Sequence, residues 1–239
     1  MKKLLAALAT LIAITPSGAR AQIVESFDDI QNWAGLGASS SALVLQWNDG
    51  NTPVSLAWGY RWDGTATGTA LLTAIAGTTI IREPGGGDII ETLTGADPAL
   101  QITIERYNWG DIVYSMVYSP GGTPRTQADW ASGYWEYSLF AGNIDYSTWN
   151  GTSFDGPFTY DVAGDPLYNS VVWWSSQVGS SDRLLVNGSW DAWSFAPGFS
   201  SAPVAQPVAA AAVPEPSVNA LLVLSTFATV FFLRRKHAS

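Results

Sequence analysis

Apolar and polar residues alternate with a period of two in several stretches of the chain, as they do in strands that bury one face. In the segment VSLAWGYRW, Ser55, Ala57, Gly59 and Arg61 fall on one face. The opposite, apolar face carries Val54, Leu56, Trp58, Tyr60 and Trp62. We expect this apolar face to lie in a core. Further strands are predicted over residues 42–47, 100–106, 112–118, 134–140, 171–175, 184–187 and 190–195.

One segment, TGTALLTAIAGTT, has helical rather than strand periodicity. Leu71, Leu72 and Ile75 are spaced to lie on one side of a helix, Thr67 is a candidate N-cap, and Gly77 is a candidate C′ glycine. A strand feeding directly into this helix favours a β-rich α+β domain with mainly antiparallel sheets and one short helix. A pure β-sandwich is the alternative.

The N-terminus has the three parts of a secretory signal peptide. Lys2 and Lys3 provide the positive region, residues 4–14 are apolar, and Ala19 and Ala21 form a small-x-small cleavage site. We expect residues 1–21 to be removed, so that the exported chain begins at Gln22.

Composition narrows the partners of the body, defined as residues 22–200. It contains nineteen Asp and Glu, five Arg and no Lys or His, which gives a net charge of −14. Such a surface repels phosphate backbones, so nucleic acid is not an expected partner, and neutral glycans or cations fit better. The sequence has no Cys. Packing and backbone pairing must therefore stabilise the exported domain without disulfides.

The C-terminal part changes composition twice. The exported domain is predicted over residues 22–199, and residues 200–212 resemble an Ala/Pro-rich linker. Residues 218–233 carry no charge and would cover about 24 Å as a helix. Arg234, Arg235 and Lys236 then follow. This order predicts one transmembrane helix with the basic cluster in the cytoplasm, which leaves the body outside the inner membrane.

These features together resemble a known sorting signal. Val213-Pro214-Glu215-Pro216-Ser217, an apolar helix and a terminal Arg-Arg-Lys resemble the PEP-CTERM signal of Gram-negative bacteria, which covers residues 213–236 here. The resemblance implies that an exosortase, a membrane-embedded cysteine transpeptidase, recognises Pro214, Glu215 and Pro216 and cleaves nearby. It also implies that the basic cluster stops transfer. A Pro-x-Pro stretch cannot continue a helix, so it stays extended outside the bilayer.

The body lacks the residues for most enzyme chemistry. The one His, His237, lies in the predicted cytoplasmic tail, so the body has no His, Cys or Lys for acid–base, nucleophilic or metal–thiolate work. Carboxylates remain, and the candidates for a hydrolytic pair are Glu91, Glu105, Glu136 and Asp155. No catalytic residue and no cofactor is predicted. Calcium stays open as a ligand of the turns DGNT, DVAGD and NGSWD, although no full calcium loop is present.

Twelve Trp residues, all in the body, are the most informative excess. Exposed Trp and Tyr side chains stack on sugar rings through their apolar faces. Trp173 and Trp174 are adjacent strand residues and so point to opposite faces, which makes them the first candidate platform. Trp135 and Tyr137 are the other two candidate platform residues. They belong to the cluster Trp130-Tyr134-Trp135-Tyr137; the further clusters are Trp58-Tyr60-Trp62, which we expect in the core, and Trp190-Trp193.

A second resemblance involves three of these residues. The segments AWGYRWDGTATGTALLTAI, GYWEYS and LLVNGSWDAWSF are similar to secreted domains like the transcobalamin C-terminal domain, although the gaps between them have other lengths. The matching residues are Trp135, Tyr137, Gly188, Trp193 and Phe195. This resemblance implies capture of a small corrinoid-like ligand.

We therefore expect an exported, non-catalytic structural or glycan-binding protein. Its expected partners are an exosortase, the inner membrane and an exopolysaccharide, and it moves from the inner membrane to the surface or biofilm matrix of a Gram-negative bacterium. The alternatives are a carboxylate-dependent glycoside hydrolase and a small-ligand capture domain. A glycan binder needs an exposed aromatic surface, a hydrolase two carboxyls about 5–9.5 Å apart in a cleft, and a capture domain an enclosed apolar pocket.

Overall fold

A computed structural model describes residues 22–140 and 173–211, apart from positions 122, 129, 131, 177, 178 and 202. Over this part of the chain, two β-sheets and one α-helix form a β-rich α+β domain. The prediction of a β-rich chain with one short helix is confirmed.

The first sheet has seven strands in the described residues. They are β1 (Trp33–Gly35), β2 (Ser39–Gln46), β3 (Ser55–Trp62), β9 (Gly133–Phe140), β10 (Trp173–Ser175), β11 (Ser189–Pro197) and β12 (Val208–Ala209). Six of them follow the spatial order β1-β3-β2-β11-β9-β10, and β12 pairs with β3. The contacts of β3 with β1 and β12, and of β2 with β11, are parallel. The others are antiparallel.

The second sheet has five strands in the same part of the chain. They are β4 (Ala76–Arg82), β5 (Ile89–Leu93), β6 (Asp97–Tyr107), β7 (Gly110–Tyr118) and β8 (Arg125–Ala128), in the order β5-β4-β6-β7-β8. β4 and β6 are parallel, and the remaining neighbours are antiparallel. The predicted antiparallel pairing is thus the commoner kind, but both sheets are mixed.

The α-helix of the described residues, α1 (Gly68–Ile75), begins as predicted and ends differently. The Thr67 side chain accepts a hydrogen bond from the Ala70 amide, as an N-cap does. Gly77 is not a left-handed C′ residue, because the chain turns extended at Ala76 and enters β4 at once. A side chain at Gly77 would have its Cβ 2.4 Å from the Asp97 carbonyl oxygen. Glycine is therefore required by close backbone packing rather than by helix termination.

The inner faces of the two sheets share the main core with α1. Trp47, Trp58 and Tyr118 meet at its centre, where the Trp58 and Tyr118 rings pack edge to face at 5.5 Å between centroids. The predicted core face of β3 is confirmed, since Trp58 and Trp62 are buried and Tyr60 is half-buried.

The opposite, outer face of the first sheet carries a smaller apolar cluster. Its buried members are Val24, Ile30, Ala42, Val44, Ala57, Phe140, Trp190 and Ala192. The N-terminal segment covers part of this face, because a 3-10 turn (Phe27–Asp29) places the Phe27 ring 4.9 Å from the Trp190 ring. The sheet therefore has apolar packing on both faces.

Two segments differ from the sequence predictions. Residues 184–187 do not form a strand. Instead, the Arg183 carbonyl and the Leu185 amide form hydrogen bonds with the segment that leads into α1. Residues 203–211, within the predicted linker, lie against the first sheet. Val208 and Ala209 form β12, and the Gln46 side chain bonds the backbone of Pro203 and Ala205. The folded body therefore continues to Ala211, because small Ala, Val and Pro residues allow close backbone pairing.

The predicted signal peptide and the sorting signal, including the membrane helix at 218–233, lie outside the described residues. Among the described residues, no helix has the length and apolar character needed to cross a membrane.

Candidate functional site

An exposed row of three aromatic rings lies at one end of the first sheet. Trp130 and Tyr134 have nearly parallel rings, with centroids 6.1 Å apart and planes 10° apart. Phe199 continues the row on the other side of Tyr134, at 6.3 Å and 25°. The exposed fractions of Trp130 and Phe199 are 48% and 52%. We call Trp130, Tyr134 and Phe199 the aromatic strip.

The strip is built on two neighbouring strands. Tyr134 lies on the outer face of β9 opposite the small residue Ala196 of β11, and it is half-buried. Phe199 follows the end of β11 and has a positive φ of 61°. For a residue with a Cβ this left-handed conformation costs about 1–2 kcal/mol. Strain of this kind clusters at functional sites, where it fixes a side chain in a required position.

Polar groups flank the strip on the same face. Glu136 lies two residues beyond Tyr134 on β9, and its carboxylate accepts a hydrogen bond from the Ser201 hydroxyl. Burial raises the pKa of Tyr134, and the nearby Glu136 charge raises it further. The tyrosine hydroxyl is therefore neutral at physiological pH and can donate or accept a hydrogen bond. The strip thus combines apolar ring faces with a carboxylate and hydroxyl groups.

The residues predicted as a platform are placed differently. Trp173 is half-buried and packs edge to face on Phe140, with centroids 5.7 Å apart. Trp174 of β10 pairs with Leu139 of β9, and its side chain lies outside what the structure describes. Trp135 is only 8% exposed, because its ring points into the main core, so its prediction as an exposed platform residue is wrong.

Tyr137, the fourth predicted platform residue, belongs to a buried polar cluster. Its ring stacks on Trp193 at 4.2 Å, and its hydroxyl donates to Asp191. Arg183 lies 3.5 Å from the other Asp191 oxygen, and both charged side chains are fully buried. Burial raises the pKa of Asp191, while the Arg183 charge opposes this shift. Because solvent does not reach the Arg183 and Asp191 side chains, we interpret this ion pair as structural.

The carboxylates considered for hydrolysis do not gather at one place. Glu91 is exposed on β5, and Glu105 is buried on β6 of the same sheet. Glu105 accepts hydrogen bonds from Arg82, from the Gly86 amide and from the Tyr107 hydroxyl, so its oxygens are occupied. Glu136 lies on the other sheet, beside the aromatic strip, and Asp155 lies outside the described residues.

The described calcium-candidate turns use their oxygens within the protein. Asp49 of DGNT binds Arg125 through both carboxylate oxygens. In NGSWD, Asn187 accepts from the Ser40 amide, and Asp191 belongs to the buried cluster. DVAGD lies outside the described residues. In the part of the chain that the structure describes, no three Asp, Glu, His or Cys side chains form a group that could hold a metal ion.

Sequence reasoning identified Trp130 and Tyr134 but missed Phe199. Phe199 joins the strip from 65 positions further along the chain, so strand periodicity around Tyr134 could not reveal it. The turn residues Pro197-Gly198 were the available signal, since they place the next residue just beyond a strand end. No protein-family model, no curated protein and no solved structure matches this chain.

Proposed function

We propose that this chain is an exported, non-catalytic protein whose body binds glycan through the aromatic strip. The PEP-CTERM-like tail holds the body at the inner membrane until an exosortase processes it. The mature protein then resides at the cell surface or in the extracellular matrix, where exopolysaccharide is its partner.

The observation that supports glycan binding is the exposed, nearly parallel arrangement of Trp130, Tyr134 and Phe199. Parallel rings at offsets near 6 Å leave part of each face open, and a pyranose ring presents an apolar face of similar size. Glu136 and Ser201 lie beside the rings and can bond sugar hydroxyls. Aromatic faces with a few polar groups at the rim are the usual composition of a carbohydrate site.

Charge favours neutral rather than acidic glycans. The body carries nineteen acidic residues against five Arg, so an acidic polysaccharide would be repelled over the range of the Debye length, about 8 Å at physiological ionic strength. Stacking on aromatic rings needs no opposite charge. Neutral glucans, xylans and galactomannans are therefore the substrate class that fits the strip.

The hydrolase alternative has weaker support. Hydrolysis needs two carboxyl groups facing one cleft. Glu105 is buried and fully hydrogen-bonded on the second sheet, whereas Glu136 flanks the strip on the first sheet. The strip is also an open surface rather than an enclosed apolar pocket, which is what small-ligand capture requires.

Binding by the strip is tested with the full chain in a sugar-free detergent. Affinity electrophoresis against soluble β-glucan, xylan and galactomannan identifies the bound class, and titration calorimetry with its hexasaccharide gives the affinity. We expect Trp130→Ala to weaken binding about tenfold, which corresponds to a loss of about 1.4 kcal/mol.

Trp109→Ala is the matched control. Trp109 is another exposed indole, 65% exposed and stacked on Tyr107, but it lies in the turn that joins β6 and β7 of the second sheet. The proposal fails if none of the three polysaccharides binds, or if Trp109→Ala weakens binding as much as Trp130→Ala. Release of reducing ends by the wild-type chain would instead support the hydrolase.

The proposed processing of the C-terminal tail by an exosortase is tested separately. We expect the double variant Pro214→Ala, Pro216→Ala to accumulate at full length in the inner membrane of a bacterium that has an exosortase, while the wild type is shortened. Equal processing of both chains, seen by immunoblotting, would contradict recognition of the Pro-Glu-Pro motif.

A further inference from the structure

We propose that the chain has a second pyranose-binding site at the other end of the same sheet face. This site is an open depression of about 340 Å³ lined by Phe27, Asp28, Ile30, Trp33, Ser40 and Arg61, which we call the Arg61 depression. The inference rests on the proposed function, because it assigns the same ligand class to a second site and makes the protein bivalent.

The floor of the depression is fixed by close packing. A Cβ at Gly59 would lie 2.3 Å from a ring carbon of Trp33, so the indole sits directly on the backbone of β3. The Trp33 indole N–H donates to the Ile30 carbonyl oxygen at 2.9 Å, which sets the rotation of the ring. Phe27 lies beside it, with ring centroids 6.2 Å apart. These contacts hold an aromatic surface in place before any ligand arrives.

Arg61 provides donors whose position is already set. Its guanidinium lies 4.5 Å from the centre of the Trp33 ring, an arrangement stabilised by cation–π attraction. The side chain is exposed, and among the described residues no carboxylate lies within ion-pair distance of it.

The other four Arg residues of the body show that an Arg without a carboxylate partner is unusual here. Each forms an ion pair with a carboxylate of the described chain: Arg82 with Glu105, Arg106 with Asp111, Arg125 with Asp49, and Arg183 with Asp191. In a body with nineteen acidic residues, a guanidinium that stacks on an indole instead keeps its in-plane N–H groups available for a ligand.

The second charged group of the depression is an acceptor. Asp28 is exposed and lines the same space, but it is not within 4 Å of Arg61. One fixed donor, one acceptor and the half-buried Phe27 ring match a neutral pyranose, which offers an apolar ring face and hydroxyls that both donate and accept. A fully anionic ligand fits less well, because Asp28 would repel it.

The two sites lie far apart on one surface. Arg61 pairs with Ser40 across β3 and β2, and Tyr134 pairs with Ala196 across β9 and β11, all with side chains on the outer face. The registers place Tyr134 about eight residues further along the strands than Arg61 and three strands away, which is roughly 26 Å by 14 Å. A short oligosaccharide cannot occupy both sites. The protein therefore holds together two polysaccharide chains, or two segments of one polysaccharide chain.

The test measures stoichiometry on the full chain in a sugar-free detergent. Calorimetry uses hexasaccharides of β-glucan, xylan and galactomannan as probes. We expect two hexasaccharides per chain for the wild type and one for Arg61→Gln combined with Asp28→Asn. We likewise expect one for Trp130→Ala combined with Tyr134→Ala. Arg106→Gln, which changes an exposed Arg on the second sheet, is the matched control and keeps two.

Cross-linking gives a second readout. The wild type should make solutions of the bound polysaccharide turbid, and either double variant should still bind it but lose turbidity and about 100-fold of the apparent affinity. Melting curves of all variants check that they fold.

The outcomes separate the two proposals. One hexasaccharide per wild-type chain, lost only in the strip variant, overturns the Arg61 depression and leaves the proposed function intact. One hexasaccharide lost only in the Arg61 and Asp28 variant supports the depression and overturns the strip. No binding of any probe overturns both.

Discussion

Asp97 ties the two sheets together, and removing one of its donors should weaken the fold by a measurable amount. The residue is the first of β6 in the second sheet and is 2% exposed. One of its oxygens accepts from the Trp58 indole N–H at 2.7 Å and from the Asn32 side-chain amide at 3.0 Å. The other accepts from the Ala99 amide at 2.9 Å. Trp58 belongs to β3 of the first sheet, so this hydrogen bond crosses the core.

Trp58→Phe removes the indole N–H and keeps most of the aromatic volume. A hydrogen bond to a charged acceptor contributes about 1.5–3 kcal/mol, and the Asp97 carboxylate that would lose this donor is buried. The smaller ring also leaves a void, which adds about 1 kcal/mol. We therefore expect a loss of about 2.5–4 kcal/mol of unfolding free energy.

Trp62→Phe separates these two contributions. Trp62 is also buried on β3 and stacks on Tyr60, but its indole N–H has no hydrogen-bond partner among the described residues. It should lose only the packing contribution of about 1 kcal/mol. Urea unfolding of the full chain, followed by circular dichroism at pH 7, measures the difference of about 1.5–3 kcal/mol between the variants. Equal losses in the two variants would falsify the role assigned to the Asp97 hydrogen bond.

Three further predictions follow from single contacts. Hydrogen bonds from Arg125 hold the pKa of Asp49 far below its usual range. The ionised carboxylate therefore stabilises the fold at pH values above the unfolded pKa of about 3.9. This contribution is lost as the pH falls from there through the folded-state pKa. The stability difference between wild type and Asp49→Asn, about 2 kcal/mol at pH 7, should therefore shrink between pH 5 and pH 2 in urea titrations, and a constant difference would contradict this. Phe199→Asn should weaken glycan binding yet melt no lower than wild type, because Asn adopts the left-handed conformation more easily; a lower melting temperature would refute strain there. Gly59→Ala should cost about 1–3 kcal/mol in thermal melts by displacing Trp33, and a neutral result would show that the indole moves freely.

Much of the fold follows from local patterns in the sequence. The alternation in β3 correctly separates the core residues Trp58 and Trp62 from the outer-face residue Arg61. The Thr67 cap and the periodicity of Leu71 and Ile75 identify α1. These signals are readable because each depends on neighbours within one turn of helix or a few strand residues.

Pairings between distant segments are what the sequence did not reveal. The parallel contact of β2 with β11 joins Ser41 to Ser189, and no local pattern specifies such a register. The same is true of β12, whose Ala and Val residues resemble a linker by composition but pair with Leu56 and Ala57. Backbone pairing can order a segment with little sequence signature, because it uses main-chain groups that every such residue has.

Only part of the candidate site could be predicted, because contacts between distant segments complete it. Trp130 and Tyr134 are four residues apart and were grouped together, but Trp135 was grouped with them although neighbouring strand residues face opposite sides. Phe199, Trp33 and Arg61 could not be assigned, since each gains its role from a contact with a different strand. Exposure, rather than residue type, decides which aromatics are available to a ligand.

This distinction explains how a chain with twelve Trp residues can have few binding aromatics. Without disulfides, the body depends on packing, and large rings bury the most area per residue. Trp47, Trp58 and Trp135 accordingly fill the space between the sheets. The indoles that stay accessible lie outside this space, and they include Trp130 in the strip, the half-buried Trp33 in the depression and Trp109 in the turn between β6 and β7. An excess of Trp is therefore explained first by the core, and the proposed binding sites rest on the positions at which that core ends.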